Sequence, residues 1–368
     1  MDSTCLSSQA ALPFLPSRLR RQSGDGGGGG GFSLPAMRKV QYRSMVVVAT
    51  AGQSRCEPGS SLNAPLELRS AQGRFLRSVL LNKRQLFHYA AADELKQLAE
   101  EREAALARMA LSSGSDEASL HRRIAQLKER YCKTAVQDIM YMLIFYKYSE
   151  IRVPLAPKLS RCIYNGRLEI WPTKDWELES IHTCDALELI KEHVSTVIGL
   201  RVNACVTDNW ATTQIQKLHL REVYAASISY GYFLKSASLR HQLECSLSDL
   251  RGSGYLKGPV FGSSFTTGTS TEEKLRHYVT GFEPETLRRC ARPRTEEARN
   301  LIEKQSLALF GAEEIEDETI VTSYSSLKRL VLEAVAFGTF LWDTELYVEG
   351  TYKLKENGSA EERENRSI

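Results

Sequence analysis

The sequence predicts a predominantly α-helical protein with a few short β-strands. Three observations carry this prediction: long stretches with apolar residues at helical spacing, one Asn-Gly pair between short β-favouring runs, and a helix–strand–helix pattern that occurs twice. The chain has 368 residues, of which 42% are hydrophobic and 25% charged. This composition is that of an ordinary globular protein, and the length allows about two domains.

The first 56 residues differ in composition from the rest. They hold eight Ser, a run of six glycines (Gly26 to Gly31), and seven Arg or Lys against two acidic residues. A Ser-rich, Arg-bearing and acid-poor segment is typical of an organelle transit peptide. Ser dominates and no Arg precedes Arg18, so we expect a chloroplast rather than a mitochondrial signal, processed around residues 45–56. A disordered tail without a targeting role is the alternative.

The charge of the remaining 312 residues argues against nucleic-acid binding. They carry 41 basic and 43 acidic side chains, so the basic excess belongs to the N-terminal segment. A nucleic-acid-binding protein gathers Lys and Arg on its folded part to neutralise phosphates. We therefore expect no nucleic-acid partner. No apolar run approaches the ~18 residues of a membrane helix, so we also expect no integral membrane segment.

Residues 66–160 are predicted to form an N-terminal helical region. Apolar residues recur at helical spacing up to about residue 110, and a Ser/Gly/Asp break follows at 112–116. One long amphipathic helix then begins, with an apolar stripe at Leu120, Ile124, Leu127 and Tyr131, and it ends before Pro154. Such a stripe more often packs in a core or against a partner helix than around a cofactor.

A β-hairpin is predicted next, at the start of a region that spans residues 161–250. Asn165-Gly166 separates two short β-favouring runs, which is the strongest short-range hairpin signal. We expect Trp171 and Trp176 to pack at the foot of this hairpin.

The rest of the chain contains what we interpret as a duplicated unit, with the first copy ending near residue 250 and the second spanning 273–355. Segment 186–199 aligns with 298–311, and segment 220–234 aligns with 327–341. Each copy is predicted to hold two helices with a short strand between them, at Val202–Val206 in the first copy and Thr319–Thr322 in the second.

Four glycines occupy equivalent places in the two copies. Gly199 and Gly311 follow the first helix of each copy and are predicted to cap its C-terminus. Gly231 and Gly338 lie inside the second helices, where glycine costs about 1 kcal/mol against alanine. The usual reason for that cost is close backbone packing, so we expect the two helices to cross at these glycines.

Two segments are predicted to lack regular structure. In 251–272, between the copies, 13 of 22 residues are Gly, Ser or Thr, which is typical of a linker; the spacing does not fit a phosphate-binding loop. Residues 356–368 are acidic and polar, and we expect a disordered tail.

The eight cysteines include no Cys-x-x-Cys pair, which argues against zinc ribbons and thioredoxin-type motifs. Cys132, Cys162, Cys205 and Cys245 lie in apolar or amphipathic stretches, where a thiol usually acts as a small buried hydrophobe. A regulatory thiol pair brought together by folding remains open.

The densest group of possible metal ligands lies near residue 185. It consists of His182, Cys184 and His193 with Glu179, Glu188 and Glu192. A di-iron bundle needs the Glu-x-x-His motif on two helices and two further Glu, which this chain does not supply. We expect a solvated helix face, and no metal site, cofactor or catalytic residue.

A cluster of four arginines is the one candidate binding site. Arg288, Arg289, Arg292 and Arg294 precede a predicted helix that begins at Thr295. Arginines beside a helix N-terminus are able to bind an anion or an acidic partner. However, Glu296 and Glu297 already occupy the favourable dipole position, so a solvated loop is the alternative.

Several motifs resemble the plant UV-B-induced chloroplast protein family, over roughly residues 65–355. They are Ile181-His-x-Cys-Asp, Tyr230-Gly-Tyr-Phe-Leu-Lys235, Phe282-Glu-Pro-Glu-Thr-Leu287, Ile302-Glu-Lys-Gln305 and Leu332-Glu-Ala-Val-Ala-Phe-Gly-Thr-Phe-Leu-Trp342. The resemblance implies a plastid, mainly helical protein with a conserved domain of unknown function, whose expression responds to light stress. It supplies no catalytic residues. The Arg-rich stretch 288–294 is more basic than the family pattern.

Three classes of function stay open. The leading one is a non-enzymatic interaction or regulatory protein of the chloroplast stroma, which binds an unknown protein partner through its amphipathic helices. The second is an enzyme or metabolite binder with a site between the two copies, which a cavity with convergent polar groups would reveal. The third, a protein of the thylakoid or envelope surface, is disfavoured by the near-neutral charge.

Overall fold

The computed structural model describes residues 64–199, 211–252, 272–311 and 318–355. Within these ranges the protein is mainly helical with one small sheet, as the sequence predicts. The helices are α1 (Ala71–Asn82), α2 (Phe87–Leu111), α3 (Ala118–Glu150), α4 (Asp175–Glu179), α5 (Cys184–Ile198), α6 (Lys217–Gly252), α7 (Glu272–Thr280), α8 (Pro284–Ala291), α9 (Glu296–Phe310) and α10 (Tyr324–Glu349). The strands are β1 (Ile163–Tyr164), β2 (Arg167–Leu168), β3 (Thr212–Gln216) and β4 (Thr319–Ser323).

The N-terminal region is built on the long helix α3. Ser70 caps α1 by accepting a hydrogen bond from the Gly73 amide. Helices α2 and α3 pack side by side, and the break between them spans residues 112–117. The second half of α3, from Cys132 to Tyr148, is almost wholly buried, because it also packs against α1, α9 and α10. The predicted long helix is thus confirmed.

The four strands form one sheet in the order β1-β2-β4-β3. Strands β1 and β2 form the predicted hairpin, with Asn165 and Gly166 both at positive φ, as a two-residue type I′ turn requires. Strand β2 pairs in parallel with β4, and β4 pairs antiparallel with β3. The prediction for the tryptophans is wrong. Trp171 and Trp176 are 62% and 79% exposed, so neither packs at the foot of the hairpin.

A helix–strand–helix order occurs twice in the described residues. The first unit consists of α5, β3 and α6, and the second consists of α9, β4 and α10. The strand predicted at 202–206 lies outside the described residues, and the strand that precedes α6 is β3. Most of the predicted linker at 251–272 also lies outside them, although α6 extends to Gly252.

The two units meet where α6 crosses α10. A Cβ at Gly231 would overlap the Val335 carbonyl, and a Cβ at Gly338 would overlap the Ile228 carbonyl. Ile228 and Val335 are themselves paired in the sequence alignment of the two units. Such reciprocal contacts are what a two-fold axis between equivalent units produces. They support the duplication, which stays a prediction.

The predicted burial of the cysteines is only partly right. Cys132 is buried and its thiol faces the Leu98 carbonyl, but Cys245 is exposed on α6. Cys162 is buried and takes part in a disulfide bond, so it is not the inert thiol that the sequence predicts. Cys205 lies outside the described residues.

Candidate functional site

The four predicted arginines all lie on the surface. Arg288 and Arg289 are exposed on α8, and Arg288 pairs with Glu285 one turn away, at 2.7 Å. Arg292 is exposed on the connection to α9. The anion or acidic-partner site at Arg288, Arg289, Arg292 and Arg294 stays a prediction.

Arg294 also has a structural partner. Its guanidinium lies 3.5 Å from the carboxylate of Glu345, which is fully buried, and 3.2 Å from that of Glu349. Glu345 also accepts hydrogen bonds from the Thr295 amide and hydroxyl and from the Tyr232 hydroxyl. Arg294 therefore helps to hold the start of α9 against α10 and α6.

Three of the six residues considered as metal ligands have other partners. Glu179 pairs with Lys328 at 3.2 Å, and Glu192 pairs with Arg276. His193 stacks on Tyr230 with a centroid distance of 4.1 Å, and its Nε2 lies 3.1 Å from the Ser227 hydroxyl. Within the described part of the chain, no three His, Cys, Asp or Glu side chains are grouped so that they could hold a metal ion.

A buried ion pair in α10 was missed at the sequence level. Arg329 and Glu333 are 1% and 0% exposed, and Nη1 of Arg329 lies 2.7 Å from Oε2 of Glu333. Arg329 also donates to the Pro154 carbonyl, and Glu333 accepts from the Ala156 amide. The pair thereby fixes the chain after α3 onto α10. The available signal was Glu333 itself, the one charged residue within the apolar run 330–342.

The interface between the two units leaves little space for a substrate. The crossing at Gly231 and Gly338 is closed by backbone contact. A cavity beside it, lined by His182, Leu234 and Thr339 among others, has a volume of about 90 Å³. Small-molecule sites usually measure roughly 300–1,000 Å³. Burial lowers the pKa of His182 to about 4, so its ring is neutral at physiological pH.

The first half of α3 carries an exposed apolar face. It consists of Leu120, Ile124, Leu127 and Tyr131, which are between 41% and 56% exposed. These are the residues of the predicted stripe. Ala125 and Cys132, on another side of the helix, make the buried contact with α2. The stripe thus continues into the core only beyond residue 131.

A basic groove lies along another side of α3. It has a volume of about 610 Å³ and lies between α2, α3 and the segment 350–355. Its lining contains more basic than acidic side chains: Arg102, Lys128, Arg130, Lys133, Lys353 and Lys355 against Glu129 and Glu297. Lys128 pairs with Glu101, and Lys133 and Lys355 pair with Glu296, so a moderate positive excess remains.

Comparison with known proteins places this architecture in a family. The chain is 35% identical to the UV-B-induced protein At3g17800, chloroplastic, of Arabidopsis thaliana, over an alignment that covers 92% of this chain and 89% of the relative. The chain belongs to the family of this protein. The family resemblance that the sequence motifs indicate is thereby confirmed.

A family model described as "Protein of unknown function (DUF760)" matches residues 119–247 of the chain. This match begins with the apolar face of α3 and ends in α6, so it contains the first helix–strand–helix unit and not the second. No solved structure matches the chain. Among the described residues, none of the helices combines the length and apolar character that crossing a membrane requires.

Proposed function

We propose that this chain is a chloroplast stromal protein linked to the response to UV-B, and that it acts by binding a protein partner rather than by catalysis. The name of the Arabidopsis relative supports the compartment and the UV-B link. The Ser-rich, acid-poor segment 1–56 independently supports import as a transit peptide. N-terminal sequencing of the protein from plant tissue checks the import step: a protein that still began at Met1 would contradict it.

The exposed apolar face of α3 is the observation that carries the interaction. Four large side chains, repeating at helical spacing and each more than 40% exposed, offer a seam of the kind that accepts an amphipathic helix. Arg123 and Arg130 are exposed on the same part of α3. Charge complementarity therefore favours a partner helix with an apolar stripe and acidic flanks.

The test compares three C-terminally tagged full-length chains captured from chloroplast stroma of plants that express them. One is the wild type, and the second carries Leu120→Gln, Ile124→Gln and Leu127→Gln. The matched control carries Leu243→Gln and Leu247→Gln, at two exposed leucines of α6. All five substituted leucine and isoleucine side chains are exposed. We therefore expect each substitution to change the free energy of unfolding by no more than about 0.5 kcal/mol.

The expected result is a stoichiometric protein that co-purifies with the wild type and with the α6 control but not with the α3 variant. Loss of the partner from both variants, or from neither, would contradict a docking role for the apolar face. Recovery of the wild type with salt-washable membranes, and not in the stroma, would replace the protein partner with a membrane surface. A bound metabolite or metal without a partner would favour an enzyme or metabolite binder instead.

A further inference from the structure

A second cavity lies further along α3, next to the buried half of that helix. The segment 64–69, which precedes α1 and is neither helix nor strand, forms one wall; we call it the strap. The cavity has a volume of about 250 Å³. Its apolar lining includes Leu66 of the strap and Met142 and Phe145 of α3.

The strap is held firmly at its C-terminal end. Asp138 of α3 is buried, and one of its carboxylate oxygens accepts hydrogen bonds from the Arg69 amide, the Ser70 amide and the Ser70 hydroxyl, at 2.8, 2.6 and 2.7 Å. Hydrogen bonds to an ionised group are stronger than neutral ones. The wall that carries Leu66 is therefore anchored onto the helix that supplies the opposite wall.

Three basic side chains line the cavity against one acidic side chain. The basic ones are Arg77 of α1 and Lys158 and Arg161 of the connection after α3. The acidic one, Glu67 of the strap, is largely exposed and pairs with Lys158 at 3.0 Å. Lys158, and more weakly Arg161, lower the pKa of Glu67. Glu67 thus shows that a carboxylate is favoured at this rim, while Arg77 and Arg161 leave a positive excess.

Tyr141 supplies an unused hydrogen-bond donor to this cavity. Its side chain lines the cavity and is 1% exposed, and its hydroxyl has no acceptor among the described residues. A buried hydroxyl without an acceptor has lost its hydrogen bond to water and destabilises the folded state, so such groups call for an explanation. Burial raises the pKa of Tyr141, so the hydroxyl keeps its proton. Two groups of the cavity lining, the Leu66 amide and Arg77, act in the opposite sense and lower the pKa of Tyr141.

We propose that this cavity binds a small organic carboxylate with an apolar body. The carboxylate accepts a hydrogen bond from the Tyr141 hydroxyl and faces Arg77 and Arg161, while the apolar body lies against Leu66, Met142 and Phe145. The volume lies just below the usual range of small-molecule sites, which favours a compact molecule. This site is separate from the apolar face of α3, so it goes beyond the proposed protein interaction.

The experiment titrates the full-length chain with benzoate as the probe, by isothermal calorimetry and by NMR of the protein. Benzamide is the neutral probe of the same shape, and inorganic phosphate is the anion without an apolar body. We expect saturable binding of benzoate. Benzamide should bind about tenfold or more weakly because it lacks the charge that strengthens the hydrogen bond, and phosphate should bind about tenfold or more weakly because it leaves the apolar lining uncovered.

Three variants locate the binding. Tyr141→Phe removes only the hydroxyl, and we expect about tenfold weaker benzoate binding without a lower melting temperature. Arg77→Gln should weaken benzoate binding to a similar extent. Arg74→Gln is the matched control, because Arg74 is exposed on the same helix and bonds to the Arg69 carbonyl without lining the cavity. If Tyr141→Phe does not fold, the pair Arg77→Gln and Arg74→Gln decides.

The proposal is overturned if benzoate does not bind saturably, or if benzamide or phosphate binds as tightly as benzoate. It is also overturned if Arg74→Gln weakens benzoate binding as much as Arg77→Gln does. These outcomes are independent of the partner capture from stroma, which depends on the apolar face of α3.

Discussion

The two helix–strand–helix units share an element order but occupy different places in the molecule. In the second unit, α10 has 18 of its 26 residues buried, and its neighbours surround it on most sides. In the first unit, α6 buries Leu220, Tyr224 and Ile228 but exposes Leu243 and Leu247. Equivalent sequence patterns therefore give one central helix and one covering helix.

The difference shows most clearly at aligned positions. Arg329 and Glu333 of α10 form the buried ion pair, whereas the alignment places Glu222 and Ala226 at these positions of α6, and Glu222 is exposed. Because α10 is buried on most sides, a charge at Glu333 needs a partner. Helix α6 is less buried, so Glu222 is free to face water. Comparing substitutions at aligned positions tests this account.

The largest effect is expected from Arg329→Met. Removing one partner leaves Glu333 as an unpaired buried carboxylate, and such a change costs about 3–5 kcal/mol. At the aligned position of the first unit, Glu222→Met should change the free energy of unfolding by no more than about 0.5 kcal/mol. Urea denaturation at pH 7.5 measures both. If Arg329→Met and Glu222→Met lowered the free energy of unfolding equally, α10 would not be the central helix and α6 the covering one.

The same variant has an expected pH dependence. Burial raises the pKa of Glu333, and Arg329 partly offsets that rise. Without Arg329 the pKa of Glu333 in the folded state rises further. The Glu333 carboxyl is then protonated and neutral over a wider pH range. A raised folded-state pKa favours the folded state at low pH, and this advantage is lost as the pH rises through that pKa. The loss of unfolding free energy in Arg329→Met, relative to the wild type, should therefore be smaller at pH 5 than at pH 7.5.

The next effect concerns the crossing of α6 and α10. Gly338→Leu should lower the free energy of unfolding by about 3 kcal/mol, because the new side chain meets backbone of the facing helix. Gly231→Leu should lower the free energy of unfolding by about the same amount, since the contacts of the two glycines are reciprocal. Gly350→Ala is the control, as its Cβ would lie 3.4 Å from the Tyr347 carbonyl, an ordinary contact. An unchanged melting temperature for Gly338→Leu would rule out the crossing role.

The smallest effect concerns His193, which the alignment pairs with the buried Gln305 of the second unit. Burial lowers the pKa of His193 to about 4, so between pH 6.5 and 4 the unfolded chain binds more protons than the folded one. Stability therefore falls as the pH drops through this window. His193→Gln, which installs the residue of the second unit, should reduce that fall by about 1–2 kcal/mol.

The measurement is the free energy of unfolding of both proteins from pH 8 to pH 4. At pH 8, where His193 is neutral in both states, the two curves should lie close together. A parallel decline of the two curves down to pH 4 would show that His193 is not responsible for the loss of stability.

Much of this protein follows from local sequence patterns. The Asn165-Gly166 turn, the long helix α3 and the strand at 319–323 were all predicted, because each depends on neighbouring residues along the chain. The family resemblance also rests on sequence motifs alone, and the Arabidopsis relative confirms it.

Other features depend on which elements meet in space. Periodicity finds the stripe from Leu120 to Tyr131 but does not say that only the part of α3 beyond it enters the core. Nor does any local pattern bring Tyr141, Arg77 and Lys158 to one cavity, or pair Arg294 with Glu345. The sequence by itself determined the long helices, the hairpin turn, β4 and the family, since these follow from local patterns along the chain. Tertiary packing decided which faces stay exposed and which polar groups converge, because burial and long-range pairing depend on residues far apart in sequence.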